Sequence, residues 1–179
     1  MRALSAGPEC PSRHFDRVRR SPSRGGDERG RALLLQLIRA LADYERMSAD
    51  VVATEARLRD TLFGLTPRAE AVIARVADEA VGFALWFHNY STFLARPGLY
   101  LEDLFVLPEW RGRGVGSALL RHLARIAVER GCGRMEWSVL NWNDPAIGFY
   151  RKLGAHPMDE WTVCRLTGVE LSRLAGEEE

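Results

Sequence analysis

The residues from Leu99 to Ser117, LYLEDLFVLPEWRGRGVGS, set the architecture of this chain. An apolar-rich segment that predicts a strand ends near Val106, a glycine-dense turn follows, and apolar positions at helical spacing begin at Val115. A helix that starts directly after such a turn leaves several backbone N–H groups without partners at its positive end. The turn is therefore suited to bind an anion such as a pyrophosphate group.

Length, charge and cysteine content narrow the class of protein. The 179 residues predict one domain with a full core, and a net charge of +1 gives no reason to expect nucleic acid or a membrane as partner. Cys10, Cys132 and Cys164 lack the spacing of a disulfide framework or a zinc site. This cysteine usage predicts a reducing, cytoplasmic location and no metal. No segment reaches the ~20 apolar residues of a membrane helix.

The N-terminal segment differs in composition from the rest of the chain. Residues 1–31 are rich in Arg, Ser, Gly and Pro, which predicts a poorly ordered or atypical segment with a weak strand near His14 to Arg20. Phe15 and Val18 are three apart, which is the wrong spacing for one face of a strand. We therefore expect the folded domain to span residues 32–179.

The remaining pattern predicts a mixed sheet covered by helices. Two helices come first, then antiparallel hairpins, then strand, helix, strand, helix and strand. We expect helices at 32–44, 54–63, 115–130, 144–153 and 169–174, and strands at 70–76, 80–88, 99–106, 134–139 and 161–166. Asp144 is expected to cap its helix, with Pro145 at the first position. The fold class is α/β, with a mixed, mostly antiparallel central sheet and helices on both faces.

Three interpretations of the glycine turn follow from the residues alone. A dinucleotide-binding fingerprint needs Gly-x-Gly-x-x-Gly directly after a strand. Here the spacing is Gly112-x-Gly114-x-Gly116, and Leu107-Pro108-Glu109-Trp110 intervene; the acidic Glu136 downstream keeps this interpretation open. A P-loop is excluded, because no Gly-Lys-Ser/Thr follows. The glycines could also serve only a tight turn and close helix packing.

The motif also resembles that of a known family. The pattern Arg/Gln-x-x-Gly-x-Gly/Ala, filled by Arg111, Gly114 and Gly116, is similar to the acetyl-CoA motif of the GNAT N-acetyltransferases. Residues 142–155 (WNDPAIGFYRKLGA) resemble the second half of that family. The segments LEDLFV at 101–106, DYE at 43–45 and EW at 160–161 resemble the spermidine/spermine (diamine) and thialysine N-acetyltransferase branch. The resemblance implies a single GNAT-like domain, acetyl-CoA as co-substrate, and a homodimer.

Acetyl transfer from a thioester to an amine requires a base for the ammonium proton, donors to the carbonyl oxygen, and a proton for the departing sulfur. The resemblance implies that Glu102 is the general base and Tyr150 the general acid. Alternatively, Glu102 is a strand residue that forms an ion pair with an arginine. Tyr150 could likewise be a core residue whose hydroxyl is hydrogen-bonded within the protein. The cofactor-binding residues that the resemblance implies are Leu104, Phe105, Val106, Arg111, Gly112, Arg113, Gly114, Val115, Gly116, Ser117, Asn143 and Tyr150.

The acceptor is expected to be the primary amine of a small di- or polyamine or of a thialysine-like amino acid. Cationic amines need carboxylates, and Glu45, Asp103 and Glu160 match acidic positions of the polyamine branch. Thr92 stands near the place where polyamine enzymes carry an acid, which favours the thialysine type. The alternatives are a protein or aminoglycoside acetyltransferase of the same fold, or a non-catalytic acyl-CoA-binding module.

Overall fold

The computed structural model describes residues 13–18 and 24–177. The chain divides into two compact units, Met1–Ser138 and Val139–Glu179, and each is described here by itself. The strands are β1 (Arg13–Val18), β2 (Glu70–Val76), β3 (Glu79–Ser91), β4 (Arg96–Val106) and β5 (Met135–Trp137). The helices are α1 (Arg24–Tyr44), α2 (Glu55–Leu62), α3 (Val115–Glu129), α4 (Asp144–Lys152) and α5 (Gly168–Leu174). All of the strands belong to the first unit.

The strands form one mixed sheet in the order β1-β2-β3-β4-β5 within the described part of the chain. Each neighbouring pair from β1 to β4 is antiparallel, and β4 pairs with β5 in parallel. Ala77 and Asp78 join β2 to β3 with φ values of 48° and 68°, as a tight two-residue hairpin turn requires. A parallel pair needs a long crossover, which α3 supplies.

Helices cover both faces of this sheet. On one face, α1 contributes Leu34, Leu37 and Leu41 to a buried cluster with Ala71, Ile73, Phe83 and Phe105. On the other face, the ring of Phe15 stacks on His122 of α3 at 5.2 Å. Phe15 is opposite Ala74, whose side chain alternates with that of Ile73 along β2, so α1 and α3 lie on opposite faces. The mixed, mostly antiparallel sheet with helices on both faces is confirmed.

The N-terminal elements begin earlier than the sequence pattern indicated. β1 forms across residues 13–18, and α1 starts at Arg24 instead of Ala32. β1 is an edge strand, held by backbone pairing along β2 and by an ion pair of 2.6 Å between Asp16 and Arg75. An edge strand of this kind does not need the apolar alternation that the spacing of Phe15 and Val18 lacks. The expectations for residues 1–12 and 19–23 lie outside the described residues.

Three other expectations are corrected by the structure. Residues 161–166 form no regular strand, since strand composition alone does not supply a neighbouring strand to pair with. The cap of α4 is Asn143 rather than Asp144, because its side-chain oxygen accepts from the Ala146 N–H at 3.3 Å. The expected loop from Asn89 to Pro97 is a hairpin turn at 92–95. None of the described helices is both long and apolar enough to cross a membrane.

Candidate active site

A β-bulge in β4 sets the geometry of the predicted catalytic strand. In the pairing with β3, Leu85 faces Asp103 and Trp86 faces Leu101, which leaves Glu102 as the extra residue of β4. A bulge of this kind bends the strand and redirects the side chains around it. The exposed Glu102 is therefore displaced from the regular alternation of the strand at the position predicted for a general base.

The C-terminal half of β4 is open on the edge that faces away from β3. β5 pairs with β4 only as far as Leu101, and no described strand continues that edge. The Leu107 N–H donates to the Val81 carbonyl at 2.9 Å, so alternate residues of β4 present their backbone groups to opposite edges. The N–H groups of Leu104 and Val106 therefore point to the open edge, while Phe105 pairs with β3 and its side chain is buried.

The glycine turn presents an uninterrupted set of backbone donors. Gly112 and Gly114 have φ values of 71° and 79°, and Gly114 is the N-cap of α3. Within the described residues, none of the N–H groups at positions 112–117 has a hydrogen-bond acceptor. Six consecutive donors at the positive end of a 15-residue helix are suited to bind an anion with several oxygens.

Three carboxyl groups of the first unit interact electrostatically around the bulge. Burial, followed by the negative charges of Glu102 and Glu45, raises the pKa of Asp103 to about 6. Burial also raises the pKa of Glu45, which follows the end of α1. Among the described residues, none of the three has an ion-pair partner. The three groups form an anionic site that no cation from the described part of the chain neutralises, and within that part they do not converge as metal ligands do.

Arg111 lies in the motif, but its side chain turns toward α1 and the end of β4. Its Nε donates to the Val106 carbonyl at 3.0 Å. Its Cζ lies 4.1 Å from the centre of the Tyr44 ring and 5.7 Å from that of Phe105. The guanidinium is thus held by a carbonyl oxygen and two aromatic rings inside the first unit.

Arg113 is arranged differently from Arg111. Its exposed guanidinium lies 4.8 Å from the centre of the Trp110 ring, and the Trp110 indole N–H donates to Glu79 at 3.3 Å. Stacking on a ring leaves the N–H groups of a guanidinium directed outward. Arg113 can therefore bring a positive charge to the donors of the glycine turn.

The second unit carries the remaining predicted residues. Asn143 caps α4, and Tyr150 lies two turns further along the same helix, with its ring 5.3 Å from that of Phe149. Glu160 is exposed in a turn after α4. The structure therefore brings Glu45, Glu102 and Asp103 together in the first unit and places Asn143, Tyr150 and Glu160 in the second.

Sequence reasoning missed three side chains around this site. Tyr44 was part of a matching segment, but only its acidic neighbour was assigned a role. Trp110 and Glu79, which support Arg113, were given no role at all. Their contacts join residues from different elements, so the sequence contains little information about them. The signal that could have identified them is the presence of an aromatic residue directly before the glycine turn, Trp110, and another at the end of α1, Tyr44.

Comparisons with known proteins identify the family of this chain. A model of the acetyltransferase (GNAT) family matches residues 39–155, which include the bulge, the glycine turn and α4. Thialysine N-epsilon-acetyltransferase of Bos taurus is 37% identical over 155 residues, covering 80% of this chain and 91% of that protein. Spermidine/spermine N(1)-acetyltransferase-like protein 1 of Homo sapiens is 33% identical over 155 residues, covering 81% of this chain and 22% of that protein.

A solved structure extends the agreement to the fold of nearly the whole chain. An integron cassette protein from the mobile metagenome of V. cholerae aligns with a TM-score of 0.74 and 27% identity, covering 92% of this chain and 98% of that one. The single GNAT-like α/β domain and the resemblance to the thialysine and spermidine/spermine branch are confirmed. The chain belongs to the acetyltransferase (GNAT) family and is an acetyltransferase.

Proposed function

We propose that this protein transfers the acetyl group of acetyl-CoA to the primary amine of a thialysine-like amino acid or a small di- or polyamine. The observation that carries the proposal is the position of the bulge. Glu102 is the extra residue of β4 there, its charge interacts with Asp103, and the open edge of β4 follows directly after it, which supports its role as the base. An amine drawn to the carboxylates would therefore lie next to the backbone donors that can hold a thioester.

The acyl donor is assigned to the open edge and the glycine turn. The six N–H groups at positions 112–117 would bind the pyrophosphate, with Arg113 adding a positive charge. The N–H groups of Leu104 and Val106 would hydrogen-bond the pantetheine arm and the thioester oxygen. Asn143, at the start of α4, is proposed to contact the pantetheine arm as well.

Glu102 and Tyr150 divide the proton transfers between them in this proposal. Glu102 accepts the proton that the ammonium must lose before its nitrogen can attack, directly or through a water molecule. The Val106 N–H stabilises the negative charge that develops on the thioester oxygen. Tyr150 donates a proton to the sulfur as the carbon–sulfur bond breaks. Cys132 and Cys164 have no histidine or other base in a nucleophile motif, which supports direct transfer instead of an acyl-cysteine.

The substrate class rests on charge and on the relatives. Glu45 and Asp103 offer two negative charges to an acceptor that is itself cationic, and Glu160 is proposed as a third contact. The bovine relative that covers most of this chain is a thialysine acetyltransferase. Among the candidate amines, a basic amino acid is therefore favoured over a long polyamine.

An amine panel with acetyl-CoA tests the function. Putrescine, spermidine, thialysine, lysine, an aminoglycoside and a lysine-containing peptide are compared by kcat/KM. Thialysine is expected to give the highest value, and exclusive turnover of the peptide or the aminoglycoside would overturn the substrate class. Glu102→Gln and Tyr150→Phe should each lower kcat by about a hundredfold or more while CoA still binds. An intact protein that binds CoA but acetylates none of these amines would favour the non-catalytic alternative.

We also propose a homodimer, which the family resemblance implies, and a cytoplasmic location, which the cysteine usage favours. Sedimentation equilibrium across a concentration series would give the mass of the assembly, and a mass of one chain at all concentrations would contradict the dimer.

A further inference from the structure

The side chain of Arg111 is committed to the protein, although the motif predicts that it binds the cofactor. Its Nε donates to the Val106 carbonyl at 3.0 Å, and its Cζ lies 4.1 Å from the centre of the Tyr44 ring. Its backbone N–H is also used, since it donates to the Pro108 carbonyl at 3.2 Å. The bond to Val106 fixes the Nε end of the guanidinium at the end of β4, so a side chain that turned its Nε toward a phosphate would lose this bond.

These contacts connect two parts of the site that the chain itself does not join. Val106 is the last residue of β4, and in a strand the N–H and carbonyl of one residue face the same edge. The bond from Arg111 therefore holds Val106 with its N–H directed toward the open edge. Tyr44 ends α1 and directly precedes Glu45, one of the three carboxylates. Arg111 thus ties the acyl-donor edge of β4 to the helix end that carries the anionic site.

We propose that Arg111 is a positioning residue that fixes the Val106 N–H toward the thioester and is not a ligand of the pyrophosphate. The inference rests on the proposed function, because the thioester is the group that the Val106 N–H would bind. Arg113 is the contrasting case in the same motif, since its guanidinium stacks on the Trp110 ring and, among the described residues, has no hydrogen bond to a backbone carbonyl like that of Arg111. The two arginines therefore have different tasks, and a donor substrate without phosphate groups separates them.

The experiment compares acetyl-CoA with S-acetyl-pantetheine, which has the thioester and the pantetheine arm but no pyrophosphate. Arg111→Leu removes the donor and the charge but retains much of the aliphatic stem. We expect it to lower kcat by about tenfold with both donors, because the thioester oxygen loses an oriented N–H. The Kd for CoA should stay within about twofold of the wild-type value, because the pyrophosphate contacts are intact.

Four further variants and a count of binding sites distinguish this result from misfolding. CoA titration gives the fraction of each preparation that is competent to bind, and kcat is expressed per competent site. Arg111→Gln retains a donor for the Val106 carbonyl and should recover most of kcat. Tyr44→Leu should lower kcat by a similar factor, and the double variant with Arg111→Leu should add little, since both act through one contact. Arg59→Leu removes an arginine paired with the adjacent Asp60 and should change nothing.

Opposite results overturn the inference. Arg111 would be a phosphate ligand if Arg111→Leu weakened CoA by tenfold or more and left turnover of S-acetyl-pantetheine unchanged. An unaltered kcat with both donors would remove the positioning role. If the wild-type protein acetylated no amine with either donor, the proposed function would fail, and the CoA titration would still decide whether Arg111 binds phosphate.

Discussion

Asp103 links the protonation of the site to pH. Burial and the neighbouring charges of Glu102 and Glu45 raise its pKa to about 6, so it is anionic at pH 7.5 and largely neutral at pH 5.5. Burial raises the pKa of Glu45 in the same direction. A carboxyl group that gains its proton no longer attracts an ammonium ion. Between pH 7.5 and pH 5.5 the anionic site therefore loses negative charge, while the amine substrate stays protonated and cationic.

The KM for the amine is expected to rise as the pH falls from 7.5 to 5.5. Protonation of Asp103 removes one of the attracting charges, and a rise of about tenfold corresponds to the loss of one charge-assisted contact. Asp103→Asn should show a raised KM already at pH 7.5 and a flatter dependence on pH. Initial rates at saturating acetyl-CoA measure both quantities. The KM for acetyl-CoA serves as the control, and an Asp103→Asn enzyme with the wild-type pH dependence would contradict this assignment.

The same carboxyl group should make the folded protein less stable at neutral pH. Its pKa is raised from 3.8 to about 6 on folding, so the folded state binds more protons between these values and its stability falls as the pH rises through that window. Asp103→Asn is therefore expected to raise the free energy of unfolding at pH 7.5 by about 1 kcal/mol, discounted for partial exposure, and by less at pH 4. Urea unfolding at the two pH values measures the difference. An equal effect at both would disprove the linkage.

Trp86 carries a buried polar atom that the described residues do not satisfy. It is 0% exposed, it lies beside the bulge opposite Leu101, and its indole N–H has no acceptor among residues 13–18 and 24–177. Trp86→Phe removes this donor, which offsets part of the lost packing, so we expect a cost below about 1.5 kcal/mol. Trp86→Ala, the matched cavity variant, should cost about 4 kcal/mol. Urea unfolding measures both costs. If Trp86→Phe destabilised the protein as much as Trp86→Ala, the indole N–H would make a stabilising hydrogen bond, and the prediction would be wrong.

At the scale of the element, α3 has a left-handed glycine at each end. Gly114 caps its N-terminus with φ 79°, and Gly131 follows its C-terminus with φ 67° and open space where a Cβ would be. Gly114→Glu and Gly131→Glu should therefore both cost about 1 kcal/mol of stability through backbone strain. Only Gly114→Glu should weaken CoA, by more than about tenfold, because its charge repels the pyrophosphate.

Calorimetric titration of CoA into both variants tests the glycine turn. Gly131→Glu is the control for strain and for added negative charge at a distance from the turn. Wild-type CoA affinity in Gly114→Glu would contradict the assignment of the turn, and equal losses in both variants would point to a general effect on α3.

Helices and strands with a regular spacing of apolar residues or a clear capping residue were predictable from the sequence. Features that depend on contacts with distant parts of the chain were not. The Thr54 cap and the span of β2 followed from local residues and are confirmed, with the Thr54 hydroxyl accepting from the Arg57 N–H at 3.2 Å. The bulge at Glu102 was not predictable, because it is a difference in length between two paired strands. The same holds for residues 161–166, which have the composition of a strand but form none, because pairing depends on a neighbouring strand.

At the scale of the molecule, the family resemblance located the candidate site, but the sequence pattern underestimated the N-terminal part of the sheet. The order of the motifs along the chain was sufficient to identify the fold, since glycine turn and Asn-Pro helix follow one another as in the family. β1 has no such motif and is specified by its contacts with β2 and α3. Edge strands with weak patterns are the elements that single-sequence reasoning misses.

A chain that begins at Ala32 is expected to fold poorly. The truncation removes β1 and the start of α1, so the backbone groups of β2 would become an open edge and Phe15 would no longer pack on His122. We expect the melting temperature to fall by more than about 10 °C, or cooperative unfolding to be lost, with aggregation of the product. Asp16→Asn in the full chain is the control, because it removes only the exposed ion pair with Arg75 and should cost less than about 1 kcal/mol. A truncated chain that melts at the wild-type temperature and binds CoA would show that the domain begins at residue 32, since the remaining four strands would then be sufficient to support the glycine turn.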